Sequence, residues 1–219
     1  MSEEIELKGI IISVAPQGEY GRRVRMLTDK LGRISAFAGG AAKTKSKIIG
    51  VIRPMTCACF KLMRGRGDAY NIHGADVIDA FDELSFDFEA YVYAMYVLEA
   101  GEYFSEEGMP EEEARQLLNL MYVSLDALRE DRQDHELVRS IYELRLLVLQ
   151  GEYTLMPVHE SSEETKQFWQ SCISAPLTRL YRLTELTENA AVEFCGSVRQ
   201  LFDRQVKHRF RALEVLKPL

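Results

Sequence analysis

Twelve lysines and arginines stand between Tyr20 and Gly67: Arg22, Arg23, Arg25, Lys30, Arg33, Lys43, Lys45, Lys47, Arg53, Lys61, Arg64 and Arg66. A single acid, Asp29, opposes them, although the 219-residue chain as a whole carries a net charge of −7. A basic stretch inside an acidic protein is the electrostatic footprint of a module that holds a polyanion. An ordinary charge run is more simply a solvated face. Here, however, the cations alternate with apolar residues and glycines, which favours a built surface. Tyr20, Phe37, Phe60 and Tyr70 are interleaved with them. Single-strand binding needs both cations that track phosphates and rings on which bases stack. Phe37 and Phe60 fit a core better than a platform. Tyr20, beside a turn and next to Arg22 and Arg23, is the better stacking residue.

Other chemistries fit the residues poorly. The stretch Gly39-Gly40-Ala41-Ala42-Lys43-Thr44 invites a phosphate-loop reading, but Ala42 and Phe37 occupy the places where that motif needs glycine. Gly65 and Gly67 lack the third glycine of a dinucleotide fingerprint. Cys57 and Cys59 share one face of a strand at a spacing unlike that of metal ribbons, and no second pair exists. The four histidines form no ligand pair at helical spacing, so neither metal nor cofactor is expected. No nucleophile stands with a base and an orienter, so the chain reads as a binding protein and not as an enzyme. A second basic run near the C-terminus, Arg199, Arg204, Lys207, His208, Arg209 and Arg211 against Asp203, suits a solvated helix face, an added DNA contact or the docking of an acidic peptide.

The elements that would position these residues change character near residue 80. Before it the net charge is +5 and after it −12, which predicts two domains, 1–80 and 81–219, with different partners. Residues 5–15 are rich in isoleucine and close on Pro16-Gln17-Gly18. Val24, Met26 and Thr28 alternate with Arg23, Arg25 and Leu27, the period of a half-buried strand. Further strands are expected at 33–38, 48–63 and 69–80. Five short strands predict a small barrel of the OB type. From residue 86 the period becomes helical: Ala114, Leu117, Leu118, Met121, Leu125 and Leu128 share a face behind Pro110. Residues 135–150 predict the central helix of a bundle, and 151–161 a loop. A stripe from Ala190 to Phe210 predicts a last helix roughly 30 Å long. The fold class is therefore α+β, an N-terminal barrel followed by an all-α bundle. No signal-like h-region follows the acidic start, no apolar run approaches the roughly 20 residues of a membrane span, and the cysteines form no disulfide framework. These features suit a soluble protein of a reducing cytoplasm.

The order Gly18-Glu19, Met26-Leu27-Thr28, Gly32-Arg33 and 39–47 resembles the N-terminal domain of the RecO family. The step from Gly50 through Arg53-Pro54-Met55 and the basic turn Arg64-Gly65-Arg66-Gly67 resemble that family's next strands. Tyr142-Glu143-Leu144-Arg145-Leu146-Leu147 is similar to its central helix, and Arg211-Ala212-Leu213-Glu214 to its C-terminal end. The likeness is strong through residue 80 and looser after it. Two departures stand out. Residues 151–172 lack the paired cysteines many members carry, so the family's zinc insert reads as lost. Gly21 also replaces a common acid.

The resemblance implies an OB-fold domain that binds single- and double-stranded DNA and anneals complementary strands. It implies a helical domain that docks the acidic tail of the single-stranded-DNA-binding protein. It further implies a role, together with RecR, in loading RecA during DNA repair and recombination. The DNA-binding candidates are Tyr20, Arg22, Arg23, Arg25, Arg33, Lys43, Lys45, Lys47, Arg53, Arg64 and Arg66. Those for the acidic tail are Arg199, Arg204, Lys207 and Arg209, with Arg139 and Arg145 as the next choice. A generic OB module for RNA and a non-catalytic interaction scaffold are the alternatives.

Overall fold

The computed structural model describes residues 4–39, 48, 50–65, 69–130, 134–183 and 185–216. Among these, five strands precede five α-helices. Lys43, Lys45, Lys47 and Arg66 lie outside the described residues.

Strand β1 (Glu4–Gln17) is long enough to serve two neighbours. Its first half pairs antiparallel with β4 (Cys57–Arg64), from Glu4↔Met63 to Ile10↔Cys57. Its second half pairs with β2 (Gly21–Thr28). Gly9 faces both partners, and a Cβ there would stand 2.8 Å from the carbonyl oxygen of Leu27. Close backbone approach therefore requires glycine where the strand passes from one neighbour to the other. β2 pairs antiparallel with β3 (Gly32–Ala38), and β4 with β5 (Tyr70–Asp79). A short parallel pairing of Ala36–Phe37 with Tyr70–Asn71 closes the barrel in the order β1-β2-β3-β5-β4. Alternation then dictates the interior: Ile11, Val24, Met26, Ile34, Phe60 and Leu62 lie buried inside.

Strand character expected over 48–63 begins only at Cys57. The preceding residues form turns, with Val51 N–H and Ile52 N–H both bonded to Ile48 O. Pro54 has no amide hydrogen to give a ladder, and Met55 adopts φ 72°. Met55 N–H and Thr56 O still bond to Ile11, so the segment finishes along β1 without joining as a strand. Phe60 is wholly buried, so it is a core residue and not a stacking platform.

Helices α1 (Phe88–Phe104) and α2 (Glu111–Leu128) each contribute to two compact units. The first unit comprises residues 1–82 and 98–118, the second 83–97 and 119–219. Within the first, the β2–β3 turn meets the α1–α2 connection: Arg33 N–H bonds Glu106 O at 3.0 Å and Gly108 N–H bonds Leu31 O at 3.2 Å. Gly32 has φ 67°, and a Cβ there would lie 2.3 Å from Glu106 O. Only glycine serves at that position.

In the second unit, α3 (His135–Gln150) packs against α4 (Glu163–Ser174) and α5 (Glu188–Gln205). Asp134 caps α3 by accepting from the Glu136 and Leu137 amides, and Gly151 ends it in the left-handed conformation. Ser162 and Thr187 cap α4 and α5. Trp169, Phe194 and Tyr142 are fully buried. The last helix is shorter than its apolar stripe: 18 residues, about 27 Å, ending at Gln205. Beyond it the chain turns so that Phe210 packs edge-on against Tyr96 at 5.3 Å and tilted against Phe202 at 6.0 Å. Tertiary packing thus overrides helical periodicity at a stop that carries neither glycine nor proline. Among the described residues, no helix is long and apolar enough to cross a membrane.

Candidate nucleic-acid interface

The alternation that buries Val24 and Met26 turns Arg23 and Arg25 outward on β2. On β3 it buries Ile34, Ala36 and Ala38 and turns Arg33, Ser35 and Phe37 outward. Register then decides which side chains share a row. Arg23 stands opposite Phe37, Phe37 opposite Asn71, and Asn71 opposite Met63. The adjoining row runs Val24, Ala36, Tyr70, Arg64. Arg23 on β2 therefore stands beside the Phe37 ring on β3 at one end of the barrel, and Arg64 ends the adjoining row, of opposite parity, on β4. Asn71 is exposed in that row and adds an amide donor and acceptor. Sequence reading missed it, although it alternates with buried Ile72.

Two turns frame the same end. Tyr20, 47% exposed, sits in the β1–β2 turn beside Arg22 and Arg23. A hydrogen bond with Glu19 raises its phenol pKa, which keeps the ring neutral. Gly65 follows β4, and its N–H bonds Ala69 O at 2.8 Å. A Cβ on Gly65 would press on Asn71 Nδ2 at 2.9 Å, so glycine lets the hairpin close over that side chain.

The predicted cations divide according to their neighbours. Arg23 is exposed and faces Ala15 and Phe37 across the sheet, with no acid opposite. Arg22 donates to the adjacent Gly21 carbonyl, and Arg64 is exposed at the strand end. Arg25 forms an ion pair with Glu102 in the last turn of α1. Arg33 donates to the Glu102 carbonyl at 3.0 Å, a cation on a helix C-terminus. Arg53 pairs with Asp82. Exposed pairs of this kind contribute at most about 1 kcal/mol, so Arg25 and Arg53 can exchange a carboxylate for a phosphate at small cost. Arg33 is tied to backbone and is half-buried.

This arrangement coincides with a family match. Residues 1–81 fit the model described as Recombination protein O N terminal. Over that stretch the chain carries a match to the RecO N-terminal domain. It is similar to the DNA repair protein RecO of Acetivibrio thermocellus, 31% identical over 148 residues, 67% of this chain and 57% of the relative. The RecO of Alkaliphilus metalliredigens is 29% identical over 147 residues, covering 67% and 58%. That of Listeria monocytogenes is 30% identical over 149 residues, covering 68% and 56%. The matched stretch thus spans less than two thirds of each relative.

The C-terminal cations form a different kind of site. Arg199 and Arg209 line a cleft of about 560 Å³ with Tyr96, Phe202, Phe210 and Arg139, whereas Arg204 and Lys207 are not among its lining residues. Because α5 ends at Gln205, Lys207 and Arg209 are not helical. Lys207 donates to Asp203 O at 2.7 Å. Arg199 pairs with Glu136, and Arg209 with Glu214. Deepest lies Arg139, held by Glu136 at 2.8 Å and Glu143 at 3.3 Å. Tyr96 Oη donates to Glu143 at 2.5 Å. Burial raises the Glu143 pKa, against the lowering influence of Arg139. Arg145 is elsewhere, donating to Cys172 O and Ile173 O at the end of α4.

Burial pushes the thiol of Cys57 up to about 12, that of Cys195 up to about 11 and that of Cys172 well up, so these three resist forming thiolates. Among the described residues, no three His, Cys, Asp or Glu side chains converge as a metal-holding group.

Proposed function

We propose that this chain is a DNA-binding mediator of recombination and repair that works by holding strands, with no bond chemistry of its own. The β2–β3 face and the two turns beside it are where OB barrels take oligonucleotides. The observation that carries the reading is the row Arg23, Phe37, Asn71, with Arg64 exposed at the same end of the barrel, in a segment that matches the RecO N-terminal model. Arg22, Arg23 and Arg64 meet phosphates, Tyr20 and Phe37 offer rings, and Lys43, Lys45, Lys47 and Arg66 are the further cations of the basic stretch. Neutralising the phosphates of two strands lowers the repulsion that slows annealing, and counterion release supplies much of the affinity. The 1–80 region acts on single- and double-stranded DNA.

The 81–219 region engages protein partners. The cleft beside α5 has an aromatic floor and an arginine rim, which suit the acidic, phenylalanine-ended tail of the single-stranded-DNA-binding protein. Arg199 and Arg209 are the rim residues that would take its carboxylates. RecR is the companion in this reading, and RecA the recombinase that benefits.

Titration of the full chain with a labelled oligothymidylate over a salt series tests the proposal, with annealing of two complementary oligonucleotides measured alongside. Contact with about five to eight phosphates predicts a log–log slope of roughly −3.5 to −5.5. A flat salt response, or annealing no faster than that of the free strands, would defeat it.

A further inference from the structure

The second unit carries another groove, of about 450 Å³, whose chemistry is the reverse of the arginine-lined cleft. Its floor is apolar: Ile141 from α3, Phe168 from α4 and Leu180 are buried, while Leu137 and Leu186 remain partly exposed at its sides. Glu130, Asp134 and Glu185 stand on its rim, all exposed, with Arg182 as the cation among the described lining residues. One oxygen of Asp134 is used in capping α3. Among the described residues, Glu130 and Glu185 make no ion pair. The volume lies within the roughly 300–1,000 Å³ typical of ligand clefts.

We infer that this groove docks a cationic, leucine- or phenylalanine-anchored segment of a partner protein. Apolar walls left half in water gain from burial by an apolar side chain. An acidic rim repels nucleic acid, anionic lipid and acidic peptide alike, because like charges brought together at an interface cost affinity. A segment that brings anchors and cations together satisfies both features, and an amphipathic helix with anchors at i, i+3 and i+4 does so in one turn. The inference stands apart from the DNA-holding face and the acidic-tail cleft, which use other residues.

The test uses the full chain and a labelled synthetic peptide of lysine and leucine with leucines at that spacing. A second peptide, with serine for every leucine, reports charge alone. The leucine peptide should bind, and Glu130→Lys with Glu185→Lys should weaken it at least tenfold. Glu111→Lys with Glu113→Lys, which changes net charge equally on α2, should change it less than threefold. The serine peptide should bind at least tenfold more weakly than the leucine peptide. Independently of any variant, adding the leucine peptide to the unmodified chain should slow hydrogen exchange in 137–141 and 180–186. No binding, equal loss from both double reversals, equal affinity for the two peptides, or protection confined to other segments would each overturn the inference.

Discussion

The barrel face and the α5 cleft are both rich in arginine, yet they treat their cations in opposite ways. On β2, Arg23 looks across the sheet at Phe37 and Ala15, and among the described residues no ion pair engages it. In the cleft, Arg139 is enclosed by Glu136 and Glu143, Arg199 is paired to Glu136, and Arg209 to Glu214. Charge density along a sequence is therefore not the same as charge available to a ligand. A phosphate arriving at the barrel meets in Arg23 a cation that no ion pair engages among the described residues, whereas a carboxylate arriving at the cleft must compete with resident carboxylates. The first surface suits many weak, salt-sensitive contacts. The second suits one selective guest that also brings an aromatic ring.

The contrast is most sharply probed at its buried end. Replacing Arg139 by Met leaves Glu143 buried beside Tyr96 without its cation, and losses of about 3–5 kcal/mol accompany such unpaired burial. Chemical denaturation should register that loss, and a cost below about 1 kcal/mol would mean the cleft does not depend on internal neutralisation. The same carboxyl predicts a pH effect. Its folded pKa lies above the ordinary carboxylate range, so the folded state holds the proton more tightly than the unfolded chain does. Stability relative to Glu143→Gln should then fall as pH rises from the ordinary carboxylate range through the raised value. A difference that grows with pH instead would reverse the assignment.

At the barrel, Arg22, Arg23 and Arg64 replaced together by Ala should weaken oligothymidylate binding about a hundredfold near 0.1 M salt and flatten the log–log slope by about two. Circular dichroism melts should barely change, since none of the three is buried in the core. Unaltered binding would move the interface off this end of the barrel. A smaller effect is expected for the acidic tail: Arg199→Glu with Arg209→Glu should weaken a phenylalanine-ended acidic peptide about tenfold, converting to about 1.4 kcal/mol. The pair Arg204→Glu with Lys207→Glu should do less, and the reverse order would place the tail outside the cleft. Smallest of all is Glu102→Gln, which frees Arg25 while leaving the carbonyl that Arg33 uses. It should raise DNA affinity a few-fold, by about 1 kcal/mol or less; a decrease would show that the pair orients Arg25 for its phosphate.

Much of the barrel could be read directly. Val24 and Met26 alternate with Arg23 and Arg25, and the interior follows from that period alone. The segment before Cys57 could not, because hydrophobic residues such as Ile52 and Met55 are buried by a loop that borrows β1 hydrogen bonds. Similarly, α5 stops where Phe210 finds Tyr96, a partner far away in the chain. For the candidate site, the basic stretch was plain, but which members are engaged was not. Glu102 is 77 residues from Arg25 and 69 from Arg33, and no local pattern announces such a pairing. Asn71 was overlooked because only the β3–β5 register brings it beside Phe37.

The threading of α1 and α2 through both compact units bears on how this protein can be dissected. The chain passes from one unit to the other at 82/83, 97/98 and 118/119, twice in the middle of a helix. No single cut yields two intact halves. A fragment ending near residue 80 would keep all five strands but forfeit Glu106 and Gly108, and with them two hydrogen bonds of the β2–β3 turn. Recombination between related genes would meet the same obstacle, since a crossover at the end of the strands separates Gly32 from the carbonyl that only a glycine can approach. A barrel transplanted into another protein would have to carry residues 98–118 with it to keep those contacts.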